Sequence, residues 1–165
     1  MEPTRRTVLG GGATALAAGL FAFISGRMAF AKSRFAFELS DVEWRRRLSP
    51  AAYKVLRQED TERAGSSPLD HDKRPGTFVC AGCANPVYSS KDKFDSGTGW
   101  PSFTRPLPNG VATKPDRSIF GTRTEVHCRL CGGHLGHVFD DGPRPTGWRY
   151  CMNGVAMRFV PLRRG

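Results

Sequence analysis

The five cysteines fall into two kinds of setting. Four form two C-x-x-C pairs, Cys80-Ala81-Gly82-Cys83 and Cys128-Arg129-Leu130-Cys131. Two intervening residues let both sulfurs of a tight turn face one ion, and two such turns complete a tetrahedral zinc site with Zn–S distances of ~2.3 Å. Gly132 follows the second pair, where the turn favours a residue tolerant of unusual φ, and Ala84 holds the equivalent place in the first. A redox C-x-x-C is a competing reading, favoured when a single motif precedes a helix. Two disulfides are a third, open to a chain outside the cytoplasm. A closed four-sulfur shell leaves no position for substrate, so such a zinc would be structural.

An odd count leaves Cys151 over. It reads as a buried structural cysteine or as a nucleophile. In a strand, Arg149 and Asn153 share its face, a cation that favours thiolate and an amide with donors to offer. His134-Leu135-Gly136-His137 follows the second pair. These histidines read as a metal pair or, with the cysteines supplying metal, as donors or general acids near neutral pH. Gly97-Thr98-Gly99-Trp100-Pro101-Ser102-Phe103 puts Trp100 and Phe103 beside glycine turns, either as core or as an aromatic wall for a methyl or thioether.

Elements to position these groups are visible around them. Ser40 and Glu43 form a capping box that opens a helix through Leu48. Ser49-Pro50 starts a second over Ala51–Gln58. Residues 60–76 read as a polar loop. Strand-like runs follow at Thr77–Cys80, Arg123–Cys128, His137–Asp140, Trp148–Cys151 and Val155–Pro161, so the expectation is a mainly β, antiparallel domain with short N-terminal helices.

The 165 residues are 39% hydrophobic and include eleven Phe, enough for a core, which excludes wholesale disorder. The formal charge of +10 invites a nucleic-acid reading. Apart from Arg45–Arg47 and Arg163–Arg164 the basic residues beyond the first 31 are dispersed, so no nucleic-acid partner is expected. Residues 1–31 read as an export signal: Arg5-Arg6 ahead of Val8-Leu9, no further charge until Arg27, and a small-x-small site at Ala29-Phe30-Ala31. This pattern resembles the twin-arginine signal, a route understood to carry folded proteins and so compatible with metal loading before export. The expected organisation is a cleaved signal at 1–31, a linker at 32–41, one domain at 42–161 and a basic tail at 162–165. The product would be a periplasmic monomer, touching membrane only if the signal stays on as an anchor.

Taken in order, Lys93–Gly97, Gly99–Phe103, Arg123–Val126, His134–Phe139, Asp141–Pro143, Pro145–Gly147 and Arg149–Asn153 closely resemble the methionine-R-sulfoxide reductases. The resemblance implies two antiparallel sheets, one structural zinc at Cys80, Cys83, Cys128 and Cys131, and oxidised methionine in proteins or peptides as substrate. It implies Cys151 as nucleophile and His134 and His137 as groups that bind or protonate the sulfoxide oxygen. Asn153 would orient that oxygen, Arg149 favour the thiolate, and Trp100, with Phe103, receive the methyl. Many relatives carry a resolving cysteine where this chain has Thr98, so a thioredoxin-like protein or a small thiol is expected to reduce Cys151 directly. The rivals are an exported zinc hydrolase using His134 and His137, and a zinc-ribbon nucleic-acid binder.

Overall fold

A computed structural model describes residues 34–118 and 121–162; the expected signal at 1–31 lies outside them. Two short helices come first, α1 (Asp41–Arg47) and α2 (Pro50–Gln58). The capping box is present: Ser40 accepts from the Glu43 amide and the Glu43 carboxylate accepts from the Ser40 amide. Ser49 caps α2 ahead of Pro50. Among the described residues no helix is long and apolar enough to cross a membrane.

Among the described residues nine strands follow: β1 (Gly76–Cys80), β2 (Pro86–Ser89), β3 (Lys93–Phe94), β4 (Ser102–Phe103), β5 (Val111–Ser118), β6 (Gly121–Cys128), β7 (His134–Phe139), β8 (Arg149–Met152) and β9 (Met157–Pro161). They form two antiparallel sheets, β2-β1-β9 and β3-β4-β8-β7-β6-β5, as expected. The short strands β2, β3 and β4 and the long strand β5 have no counterpart among the expected runs. The β5 sequence Val-Ala-Thr-Lys-Pro-Asp-Arg-Ser lacks an apolar alternation and contains Pro115, which is tolerated because β5 is an edge strand.

The core lies between the sheets and under the helices. Phe78, Val87, Tyr88, Phe103, Val126, Leu135 and Met152 are fully buried, with Trp44, Val55 and Leu56 joining from the helices. Tyr88 and Phe103 stack with ring centroids 4.3 Å apart. The stretch expected to be a linker is part of this body where it is described: the Phe37 amide donates to Leu130 O (3.0 Å) and the Phe37 ring packs on Trp44.

One irregularity sets up everything below. The β6–β7 register pairs Val126 with Gly136 but His127 with His134, so Leu135 is an extra residue, a β-bulge. In a regular strand, side chains three residues apart point to opposite faces. The bulge puts His134 and His137 on the same one. Gly136 is required there, because a Cβ would sit 2.1 Å from the carbonyl oxygen of Cys151 on β8.

Candidate active site and metal centre

The two C-x-x-C turns are built alike. Cys80 O accepts from the Ala84 amide and Cys128 O from the Gly132 amide (2.9 and 2.8 Å); the Cys80 and Cys128 amides donate to Asn85 O and Gly133 O, both at 2.8 Å. Ala84 and Gly132 both take left-handed backbone, φ 63 and 68. The four sulfurs lie within 4.8 Å of one another. Cys80 Sγ–Cys131 Sγ is 3.8 Å and Cys83 Sγ–Cys128 Sγ 3.5 Å, close to the ~3.8 Å edge of a tetrahedron with 2.3 Å bonds. All five cysteines are free rather than disulfide-bonded. Hydrogen bonds from Cys131 and Cys80 lower the Cys128 thiol, and the hydrogen bond to Cys128 raises Cys80. The donor set fits one tetrahedral metal ion. Among the described residues this is the one group of three or more such side chains that could hold a metal, so His134 and His137 do not build a second centre.

Cys151 stands apart, in a cleft of about 130 Å³ lined by Thr61, Trp100, Arg123, His137, Phe139 and Asn153. Strand register assembles it. Ser102 pairs with Cys151, Cys151 with His137, His137 with Glu125, and Glu125 with Lys114, one row across β4, β8, β7, β6 and β5. Directly opposed residues share a face, so this row is a continuous polar surface. The neighbouring row, Phe103 with Tyr150 and Tyr150 with Val138, faces the core.

That alternation decides the expected site residues one by one. Trp100 lines the cleft, its indole N–H held by Glu62 O at 3.1 Å. Phe103 does not. It is 0% exposed, on the core side, and is corrected from wall to core. Asn153 is buried at the cleft's edge, its Nδ2 donating to Leu135 O (3.2 Å) and its Oδ1 accepting from the Glu62 amide (2.9 Å). Arg149 shares the Cys151 face but is clamped bidentately by Asp141 (2.8 and 2.7 Å) over the Phe139 ring. Burial pushes the Cys151 thiol above its ordinary pKa; the Thr98 hydroxyl and the Arg149 charge pull it down without outweighing that. His137 is buried, with Nε2 2.8 Å from Asp116 Oδ2. Burial lowers its pKa, and Asp116 opposes. His134, 2% exposed, sits deeper, its ring centroid 5.3 Å from that of His137 and its Nδ1 3.0 Å from Glu125 Oε1.

Sequence reading missed four contributors. Thr98 Oγ1 lies 3.9 Å from Cys151 Sγ and joins Ser96 and Ser102 in a hydroxyl chain (2.8 and 2.7 Å). Glu62, in the stretch read as a polar loop, accepts from the Gly154 and Val155 amides and so ties that loop to the turn after Cys151. Asp116 and Glu125 hold the histidines. No local spacing signals these contacts; the alternation of Glu125 with His127 hinted only that Glu125 shares a face with something polar.

Two features define the class, a four-cysteine metal-binding cluster on a two-sheet β body and a lone half-buried thiol in a polar cleft on the larger sheet. The SelR domain family model matches residues 48–161. The chain is 54% identical over 123 residues to "Peptide methionine sulfoxide reductase MsrB" of Bradyrhizobium diazoefficiens, covering 74% of this chain and 88% of that one. It is 50% identical over 121 residues to the protein of the same name in Leptospira interrogans (73% and 92%). The match to "Peptide methionine sulfoxide reductase B1, chloroplastic" of Arabidopsis thaliana is 51% over 127 residues, 76% of this chain but 63% of the plant protein. The chain belongs to the SelR domain family.

Proposed function

We propose that this SelR-family chain reduces the R epimer of methionine sulfoxide, in peptides or proteins, through Cys151, and so repairs oxidised methionine. The carrying observation is the position of that sulfur: the one cysteine outside the metal cluster lies in the cleft that Trp100, His137 and Asn153 line. The Cys151 thiolate attacks the sulfoxide sulfur while a proton reaches its oxygen from the histidines. The substrate's S–O bond breaks, its oxygen passes to the Cys151 sulfur as sulfenic acid, and methionine leaves: Cys–S⁻ + R₂SO + H⁺ gives Cys–SOH + R₂S. The thiol loses two electrons and the substrate sulfur gains them, the first and reversible rung of cysteine oxidation. Trp100 on one side and the donors His137 and Asn153 on another would fit one epimer and not its mirror image. Arg149 favours the thiolate, tempered by Asp141.

Four further readings complete the proposal. Zinc is the metal, on the tetrathiolate donor set, and its task is structural because the four sulfurs close the shell. A thioredoxin-like protein or small thiol reduces the sulfenic acid directly, since Thr98 offers a hydroxyl where a resolving sulfur would stand. The protein works as a monomer. Residues 1–31 direct folded, metal-loaded protein to the periplasm; failure of Arg5→Lys/Arg6→Lys protein to leave the cytoplasm would support this, and unchanged export would oppose it.

The test supplies both sulfoxide epimers of a methionyl peptide with a chemical dithiol. Turnover of the R epimer by the wild type and none by Cys151→Ser is expected. Equal use of both epimers, or activity surviving the substitution, contradicts the proposal.

A further inference from the structure

The hairpin of β5 and β6 meets both histidines with a carboxylate, and does so through opposite ring nitrogens. Glu125 Oε1 lies 3.0 Å from His134 Nδ1, and Asp116 Oδ2 lies 2.8 Å from His137 Nε2. Each carboxylate has its own cation from the facing strand, Lys114 Nζ 2.8 Å from Glu125 and Arg123 Nη2 2.8 Å from Asp116. Both are cross-strand register pairs, and they are crossed: β5 supplies the cation in one and the carboxylate in the other. Lys114 also reaches Glu59 at the C-cap of α2 (2.7 Å), which anchors the buried arrangement to the helix.

An ionised carboxylate only accepts hydrogen bonds, so the ring nitrogen facing it carries a proton and the other nitrogen exchanges one. Both carboxyls stay ionised. Burial pushes Glu125 up, but hydrogen bonds from His134 and Lys114 prevail and hold it below the usual range. The bond from His137, with Arg123 beside it, lowers Asp116. His134 Nε2, the nitrogen Glu125 does not hold, is buried without a hydrogen-bond partner among the described residues, as is His127 Nδ1, so within the fold nothing else claims its proton.

We propose that the β5–β6 hairpin is the positioning element of the reaction: Glu125 fixes His134 with Nε2 as its proton-exchanging atom, and Asp116 fixes His137 with Nδ1 as its own. The kinetic part of this rests on the reductase reading; the tautomers do not. His134 also faces Lys114, His137 and, across a polar cavity of about 170 Å³, Arg57 of α2, Glu59 at its C-cap, Arg34 and His127. His137 faces Arg123, His134 and Cys151 besides Asp116.

The experiment is ¹H–¹⁵N spectroscopy of full-length, metal-loaded protein carrying ¹⁵N-histidine, at about pH 8.5, above the ordinary imidazole range. Wild type should show His134 protonated on Nδ1 and His137 on Nε2. Glu125→Gln should disturb only the first signature and Asp116→Asn only the second. Each should lower kcat roughly tenfold with KM within about twofold, as loss of an orienting partner does, and Glu125→Asp should restore part of it. The same tautomer in both rings of the wild type overturns the proposal, as do variants with unchanged signatures and kcat. A wild type that reduces no sulfoxide would refute the function alone, since its tautomers still decide the role of the hairpin.

Discussion

At the metal cluster the sulfurs are held in pairs, each pair by one turn. The carbonyl of the first cysteine accepts from the amide four residues on, that donating residue is itself left-handed, and the two turns repeat this almost bond for bond. At the cleft Cys151 has no such turn. Its neighbours Ser102 and His137 come from β4 and β7 through strand register, and the loop carrying Glu62 closes over the turn that follows. The first arrangement is closed and makes the sulfurs serve each other. The second leaves one sulfur facing a cleft, with hydroxyls, an imidazole and an amide around it. Local turns suit a group whose task is to hold; cross-strand register suits one that must meet several chemically different partners at once.

The widest separation between the regions should come from removing one sulfur from each. Cys128→Ser should abolish stoichiometric metal binding and unfold the chain, because the proposed structural zinc would supply about 10–16 kcal/mol against a net stability of ~5–15 kcal/mol; metal content and circular dichroism read this. Cys151→Ser should leave both unchanged while turnover falls roughly a thousandfold or more. A folded, metal-bearing Cys128→Ser protein would erase the contrast.

The pH profile probes the cleft alone. The proposed reaction uses Cys151 as thiolate and a histidine as imidazolium. The Cys151 pKa is raised above the ordinary 9.0 and that of His137 lowered below the ordinary 6.5. Both required forms are therefore minorities between those values, where their product is constant. Below the lowered His137 value thiolate falls tenfold per unit with imidazolium already saturated; above the raised Cys151 value imidazolium falls with thiolate saturated. kcat/KM should be flat in between, declining on the acid side below 6.5 and on the alkaline side above 9.0. An optimum confined to a narrow band near neutrality would contradict this ordering.

The smallest effects lie in the symmetry of the turns. Gly132→Ala meets left-handed backbone and would place a Cβ 2.2 Å from the Phe35 ring, so a loss of about 1–3 kcal/mol is expected. Ala84→Gly relieves the same backbone conformation in the first turn and should gain about 0.5–1 kcal/mol. Denaturant titration of metal-loaded protein distinguishes the two; equal signs would mean the turns are not equivalent.

The same contrast explains what could be read from the sequence. The C-x-x-C spacing, the capping box at Ser40 and the proline start at Pro50 are local signals, and each stands where expected. Cys151, Arg149 and Asn153 were legible as near neighbours. Phe103 was misplaced because period-two alternation alone does not say which face is the core. Asp116, Glu125 and Glu62 were invisible, since their roles depend on the β5–β6 register, the bulge at Leu135 and a long-range loop contact. Pro115 concealed the strand that carries Asp116.

The division of sulfur into four that bind metal and one that reacts is tested most directly by a single turnover without reductant. Metal-loaded protein treated with one equivalent of a methionine-R-sulfoxide peptide should release one equivalent of methionine peptide. Mass spectrometry should then find about 16 Da, one oxygen atom, at Cys151, with the metal still bound. Metal release with a disulfide drawn from the four-cysteine cluster, or oxidation at a cysteine other than Cys151, would contradict the account.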